Sequence, residues 1–138
     1  MDDNSSNPNP IDFSVQNDED IRTYLEENDL EAQRSASGLY YIIDEEGTGP
    51  QPTGSSDVTV VYKGYFLNGS VFDESDENGI SINLQQVIPG WTEGITYFKE
   101  GGSGLLLVPA HLGYGTFDYN GIPGGSVLIF EIDLLAVN

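Results

Sequence analysis

Val87-Ile88-Pro89-Gly90-Trp91-Thr92-Glu93-Gly94 holds the only Trp of the chain, directly after a Pro-Gly turn signal and two β-branched residues. Pro89-Gly90 stops the segment before it. The spacing then predicts a short helix opened by Trp91, running through Ile95 and Phe98 and ended by Gly101-Gly102. An indole on the first turn of such a helix can present its face to a cavity. Taken alone, a single Trp more often packs a core than floors a pocket. Its companions elsewhere in the chain have to decide.

Strand signals stand on both sides of this helix. Leu39–Ile43, Val58–Phe66, Val71-Phe72 and Ile80–Leu84 precede it, and Gly104–Pro109 and Val127–Ala136 follow, with Gly-rich punctuation between them. One short helix among five or so strands reads as α+β, an antiparallel sheet wrapped on a single helix. Two connections stand out. Asp73–Gly79 is acidic and polar, and Gly113–Ser126 is rich in Gly and aromatics and much longer than the usual two to six residues, a length that tends to be functional.

The first 37 residues have a different character. Residues 1–10 form a polar Asn/Ser/Pro tether that has no means of building a core. Ile11–Val15 alternates apolar and polar, which predicts a short extended piece. Asn17 or Asp18 caps a helix with an acidic first turn and Ile21, Tyr24 and Leu25 on one face, and a helix of about ten residues must dock to persist. Leu30–Arg34 and Leu39–Asp44 flank Ser35-Ala36-Ser37-Gly38 as a hairpin or a strand entry. The expected organisation is a tether at 1–10, an arm with a short helix at 11–37, and one domain at 38–138.

A chain of 138 residues can bury a core without cross-links, and it has no Cys. Its 23 acidic residues against 4 basic ones give a net charge of -19, which excludes nucleic acid as a partner because phosphate contacts need Lys and Arg. The acid is spread along the chain: residues 1–37 hold 10 acidic and 2 basic residues, and residues 38–138 hold 13 and 2. Such a surface fits an extracytoplasmic setting, with the cytoplasm as the alternative. No apolar run approaches the roughly 18 residues of a transmembrane helix. Met1 directly before a tether is what a chain trimmed of a targeting segment would carry, and a natural polar start has the same appearance.

Reactive chemistry finds little support. The only His is His111, read as a loop residue, and neither a Cys nor a Gly-x-Ser-x-Gly elbow is present. Glu74, Asp76, Asn78 and Gly79 fall at the first, third, fifth and sixth positions of a calcium-loop spacing, but the twelfth is Gln85, and Ile80–Leu84 alternates like a strand where ligands belong. Gly101-Gly102-Ser103-Gly104 lacks the Lys of a phosphate loop. Neither metal nor cofactor is expected. What remains is a stock of aromatics beside turns: Tyr62, Phe72, Trp91, Tyr114, Phe117, Tyr119 and Phe130. Each alone would pack a core; together they can line an apolar pocket with few polar groups, the usual form of a ligand site.

Val60-Val61-Tyr62-Lys63-Gly64, Val71-Phe72-Asp73, Val87-Ile88-Pro89-Gly90-Trp91, Gly94, Pro109, Leu112-Gly113-Tyr114-Gly115, Ile122-Pro123 and Leu128-Ile129-Phe130-Glu131 occur in an order and spacing that resembles the FKBP-type peptidyl-prolyl cis-trans isomerases. The resemblance spans roughly residues 38–138. Residues 1–37 look like the extra N-terminal arm of secreted bacterial members, often lipoproteins. The resemblance implies an antiparallel sheet of five to six strands around one short helix, with the active pocket between them. It places Trp91 under the substrate proline ring, Tyr62, Phe72 and Phe130 as walls, and Asp73 hydrogen-bonded near Tyr62. The Ile88 amide and the Tyr114 hydroxyl would hold substrate carbonyls, and Val87, Ile80 and Ile122 would complete the binding surface.

The expected activity is cis–trans isomerisation of X-Pro bonds in unfolded or partly folded polypeptides, without any acid, base or metal. Rotation must break amide resonance, at a barrier of about 18–20 kcal/mol, and a dry pocket can favour the twisted, less dipolar amide. The alternatives are a proline-peptide-binding chaperone or scaffold with incidental turnover, and an arm that exchanges between chains in a dimer. Ile80 stands where many members of the family have Phe. Only two residues separate Leu84 from Val87, and Gly121 and Gly124-Gly125 loosen the loop beside the pocket. These departures leave substrate preference and affinity for macrolide inhibitors open.

Overall fold

Residues 12–138 are described by a computed structural model. The tether expected over residues 1–10, together with Ile11, lies outside the described residues. Helix α1 (Ser14–Glu27) comes first, followed by strands β1 (Gln33–Arg34), β2 (Tyr40–Glu45), β3 (Asp57–Tyr65), β4 (Val71–Glu74) and β5 (Ile80–Asn83). Helix α2 (Pro89–Gly94), strand β6 (Ser103–Val108) and strand β7 (Leu128–Val137) complete the order. The strands form one sheet in the order β1-β2-β6-β7-β3-β4, and every pairing is antiparallel. β5 shares the far edge of β3 with β4: it pairs with Asp57–Val60 and β4 with Lys63–Tyr65. The count is seven because this edge is divided and because the arm contributes β1 as the hairpin partner of β2.

Period-two alternation supplies a core to each face of the sheet. From β7, Leu128, Phe130, Ile132 and Leu134 point to one side, where they meet Leu106 and Val108 of β6, Val58 and Val60 of β3, and Trp91, Ile95 and Phe98. Ile129 and Leu107 point to the other side and meet Tyr40, Ile21 and Leu25. The apolar stripe of α1 is therefore docked, and full burial of one side chain the size of Ile21 contributes about 1.5–3 kcal/mol. On the opposite face α2 lies tight against β6. A Cβ on Gly90 would stand 2.6 Å from Val108 Cγ1, and one on Gly94 would stand 2.7 Å from Leu106 Cδ2.

Three local expectations need correction. Within the piece expected to lie extended over Ile11–Val15, the described residues do not: Phe13 has helical torsions, and α1 is already running at Ser14, with the Ser14 amide donating to Asp12 Oδ1 at 2.9 Å. Asn17 therefore does not cap α1. It sits inside the helix and is buried, because its amide has partners on another element. The helix of the opening stretch starts at Pro89, whose fixed φ and missing donor suit the first helical position, and it ends at Gly94. A 3-10 turn over Ile95–Tyr97 follows, and Phe98 is already extended, three residues before Gly101.

Candidate active site

Trp91 occupies the first turn of α2, its amide donating to the Ile88 carbonyl at 2.9 Å. The hydroxyl of Thr92 donates to the Leu84 carbonyl at 2.5 Å, which ties the segment before the helix to the helix itself. Three rings stand edge-on around this arrangement. Tyr62 meets Trp91 at 4.9 Å between centroids, Phe130 meets Trp91 at 5.3 Å and Phe72 meets Phe130 at 5.7 Å, each pair crossing at 82°. Such contacts contribute about 0.5–1.5 kcal/mol each beyond burial and fix ring orientation. The close fit explains Gly64 on β3, where a Cβ would stand 2.8 Å from both Phe130 Cε1 and Phe72 Cζ.

Above the indole lies an open cavity of about 400 Å³, within the range of about 300–1,000 Å³ common for small-ligand sites. Trp91, Tyr62 and Phe130 bound it, with Val87, Ile88 and Ile80 on one side and Tyr114 and Asp73 at the rim. Eight of the ten residues picked from the sequence thus meet at one void. Phe72 and Ile122 do not line it. Phe72 stands behind Phe130 and against Phe66, at 4.9 Å, and buried Ile122 supports the long loop, where it forms a bridge with Tyr119. Three lining residues were not singled out for the site: Ile82, Gln86 and Tyr119. Ile82 follows Ile80 by the strand period, and Tyr119 belongs to the aromatic loop, so both left a trace in the sequence. Gln86 left none.

Polar groups at the cavity are few and specific. Tyr62 Oη donates to Asp73 Oδ2 at 2.7 Å. Burial and then the bond to Asp73 push the Tyr62 phenol far above its ordinary range, so it stays protonated. Burial, Asp73 and Tyr119 also raise Tyr114. Among the described residues, neither the Ile88 amide nor the Tyr114 hydroxyl donates a hydrogen bond to the protein. Both stand ready for a carbonyl. The buried Trp91 Nε1 likewise meets no acceptor, which is uncommon for a buried donor.

The other candidate chemistries fall elsewhere. The Asp76 carboxylate accepts from the amides of Asn78 and Gly79, so the acidic loop is a turn capped by its own side chain. His111 Nε2 lies 2.8 Å from the Ser37 carbonyl, away from the cavity. The arrangement therefore offers an apolar aromatic floor, the unpaired donors of Ile88, Tyr114 and Trp91, and the Tyr62 phenol held protonated. It can hold a short extended peptide and twist an amide.

Comparison with known proteins agrees with this geometry. A model of the family described as FKBP-type peptidyl-prolyl cis-trans isomerase matches residues 49–135. The chain is 44% identical over 107 residues to the FKBP-type peptidyl-prolyl cis-trans isomerase FkpA of Buchnera aphidicola subsp. Acyrthosiphon pisum, a match covering 76% of this chain and 44% of that protein. It spans less than half the length of that relative. The crystal structure of FkpA from Escherichia coli superposes with a TM-score of 0.80 at 38% identity, covering 91% of this chain and 61% of that one. A peptidyl-prolyl cis-trans isomerase structure from Pseudomonas syringae gives a TM-score of 0.78 at 28% identity, covering 91% and 96%. The chain belongs to the FKBP-type peptidyl-prolyl cis-trans isomerase family.

Proposed function

We propose that this protein catalyses cis–trans rotation about X-Pro bonds in unfolded or partly folded polypeptides. The observation that carries the reading is the open cavity over Trp91, walled by Tyr62 and Phe130 and flanked by the uncommitted donors of Ile88 and Tyr114. A prolyl ring seated on the indole leaves its preceding amide in apolar surroundings. There the planar, strongly dipolar form loses the solvation it has in water, while the twisted form, with less charge separation, loses less. The Tyr114 hydroxyl and the Ile88 amide hold flanking carbonyls so that rotation is confined to one bond. No covalent bond changes, so no nucleophile or general base is required of the site.

In this reading residues 38–138 carry the catalytic unit, and α1 of the arm braces it from the opposite face of the sheet. We place the protein outside the cytoplasm, on the strength of its spread acidic surface and the polar tether at residues 1–10. A macrolide that seats a proline-like ring over Trp91 would compete with substrate. NMR exchange spectroscopy on a short Ala-Pro-Phe peptide tests the activity directly. The wild type is expected to broaden and exchange the cis and trans signals, whereas Trp91→Ala is not and Asp73→Ala is expected to exchange them about tenfold more slowly. Wild-type exchange no faster than in buffer overturns the reading.

A second reading has its own observation. Phe117 is 71% exposed and Tyr119 50% exposed, both on the loop at the cavity mouth. These rings suit capture of unfolded chains, with turnover incidental. Suppression of client aggregation that survives Trp91→Ala but is lost in Phe117→Ser would favour it.

A further inference from the structure

Asn17 is the single buried polar side chain among the described residues. Its amide oxygen accepts from the Ala110 N–H at 2.9 Å, and its amide nitrogen donates to the Gly125 carbonyl at 3.0 Å. These partners are the two ends of the loop that carries Tyr114 and Tyr119. Inside the loop the Gly115 amide donates to the Ala110 carbonyl at 2.9 Å, and the Gly125 amide donates to the Gly115 carbonyl at 3.0 Å. Asn17, Ala110, Gly115 and Gly125 thus form one closed set of hydrogen bonds, with Tyr114 attached directly to Gly115. The Tyr114 ring stacks on Tyr119 at 4.8 Å, and both bound the cavity. Phe13 reinforces the same end, since a Cβ on Gly125 would stand 2.6 Å from Phe13 Cε1.

The chemistry of the clasp is restrictive. It requires one donor and one acceptor on a single short planar group, buried and pointing at two backbone sites. A carboxylate only accepts, and an alkyl side chain does neither. Asn17 also lies outside residues 49–135, the segment matched by the family model.

We propose that Asn17 is a positioning residue for isomerisation: through its carboxamide, α1 holds both ends of the 110–125 loop and so sets where Tyr114 and Tyr119 stand at the cavity mouth. The inference rests on the isomerase reading and adds the arm to its machinery. A free loop would let the Tyr114 hydroxyl drift from the substrate carbonyl, and small misplacements of such groups are costly to rate.

The test measures kcat/KM by NMR exchange spectroscopy on the Ala-Pro-Phe peptide from pH 5 to pH 8 for the full chain, Asn17→Ala and Asn17→Asp. Asn17→Ala is expected to lose about tenfold at every pH. Asn17→Asp is expected to lose as much at pH 8 and to recover toward wild type at pH 5, because burial beside the Gly125 carbonyl raises the carboxyl above its ordinary range and the protonated form again donates to Gly125 while accepting from Ala110. A role in packing alone would not produce this recovery, because Asp and Asn fill the same space. Wild-type kcat/KM in Asn17→Ala overturns the inference, as does an Asn17→Asp deficit of equal size at both ends of the range. Should one variant fail to fold, the other decides. An active wild type with unaffected variants sinks the inference alone, whereas an inactive wild type sinks the isomerase reading and the inference with it.

Discussion

Tyr62 and Asp73 are joined across the β3–β4 hairpin by a 2.7 Å hydrogen bond from phenol to carboxylate, at the one place on the cavity rim where a charge meets an aromatic wall. Burial first, and Asp73 second, keep the phenol protonated well beyond the ordinary tyrosine value of 10.0. Because the folded state holds this proton more tightly, its contribution to stability is full below pH 10 and fades as pH rises above it. Asp73→Asn should therefore bring the Tyr62 titration down in pH while leaving it raised by burial, as read from the Cζ shift of labelled tyrosine. Asp73→Ala should lower kcat/KM about tenfold with a smaller effect on unfolding.

Trp91 is both floor and core, only 5% exposed yet bounding the cavity. Trp91→Ala is expected to cost about 3–5 kcal/mol in denaturant unfolding and to abolish measurable isomerisation. Trp91→Phe should fold well and keep partial activity, since a smaller ring still offers an apolar floor. Activity in Trp91→Phe no higher than in Trp91→Ala would show that the indole itself is required.

Gly64 tests how tightly the walls are set. Gly64→Ala forces a methyl into the space where Phe72 and Phe130 meet, and overpacking of this kind costs about 1–3 kcal/mol. Phe130 must then shift toward the cavity. The expected result is a higher KM with kcat less affected, checked by steady-state measurements on a proline peptide.

The arm is anchored by a carboxylate. Asp18 accepts from Arg34 Nε at 3.0 Å and from the Tyr40 hydroxyl at 2.9 Å, and Arg22 Nε lies 3.2 Å away. On the other side of the hairpin, Glu93 accepts from the hydroxyls of Ser37 and Tyr97, and the Tyr97 phenol is pushed up to about 12 by that bond and by burial. Burial opposes ionisation of both carboxylates, but the hydrogen bonds prevail and hold each below its ordinary value, 3.8 for Asp18 and 4.5 for Glu93. The stability they contribute is present above those values and is lost as pH falls through and below them. Melting temperature should thus drop below pH 4. Asp18→Asn should lower it at pH 7 and flatten the decline, as followed by circular dichroism.

Much of this fold was legible because its signals are local. Alternation marked each long strand to within a residue or two, and the Pro-Gly before Trp91 marked the helix at the pocket floor. The start of α1 escaped because its N-cap is Phe13, which carries no capping signal, while the Ser14 amide is taken by Asp12 one residue ahead. Asn17 has the right chemistry for a cap, and only tertiary partners about a hundred residues away put it elsewhere. At the site, the aromatic walls were readable as a set, but the division between lining and support was not. Phe72 and Phe130 look equivalent in sequence, yet Gly64 draws both rings to one spot and only Phe130 faces the void. Gln86 is placed by the 3-10 turn over Leu84–Gln86, which Asn83 caps by accepting from the Gln85 amide and which the alternation of Ile80–Leu84 conceals.

β7 supplies alternate side chains to both faces of the sheet and pairs with β3 and β6 along nearly its whole length. It is also the final element to leave the ribosome of all those that touch the indole or α1. Until β7 has been synthesised, Trp91 lacks Phe130 beside it, α1 lacks Ile129 beneath it, and β3 and β6 have nothing to join them. The cavity over Trp91 therefore cannot serve the chain that carries it while that chain is still being made. Its walls close only with the strand that joins the two halves of the sheet.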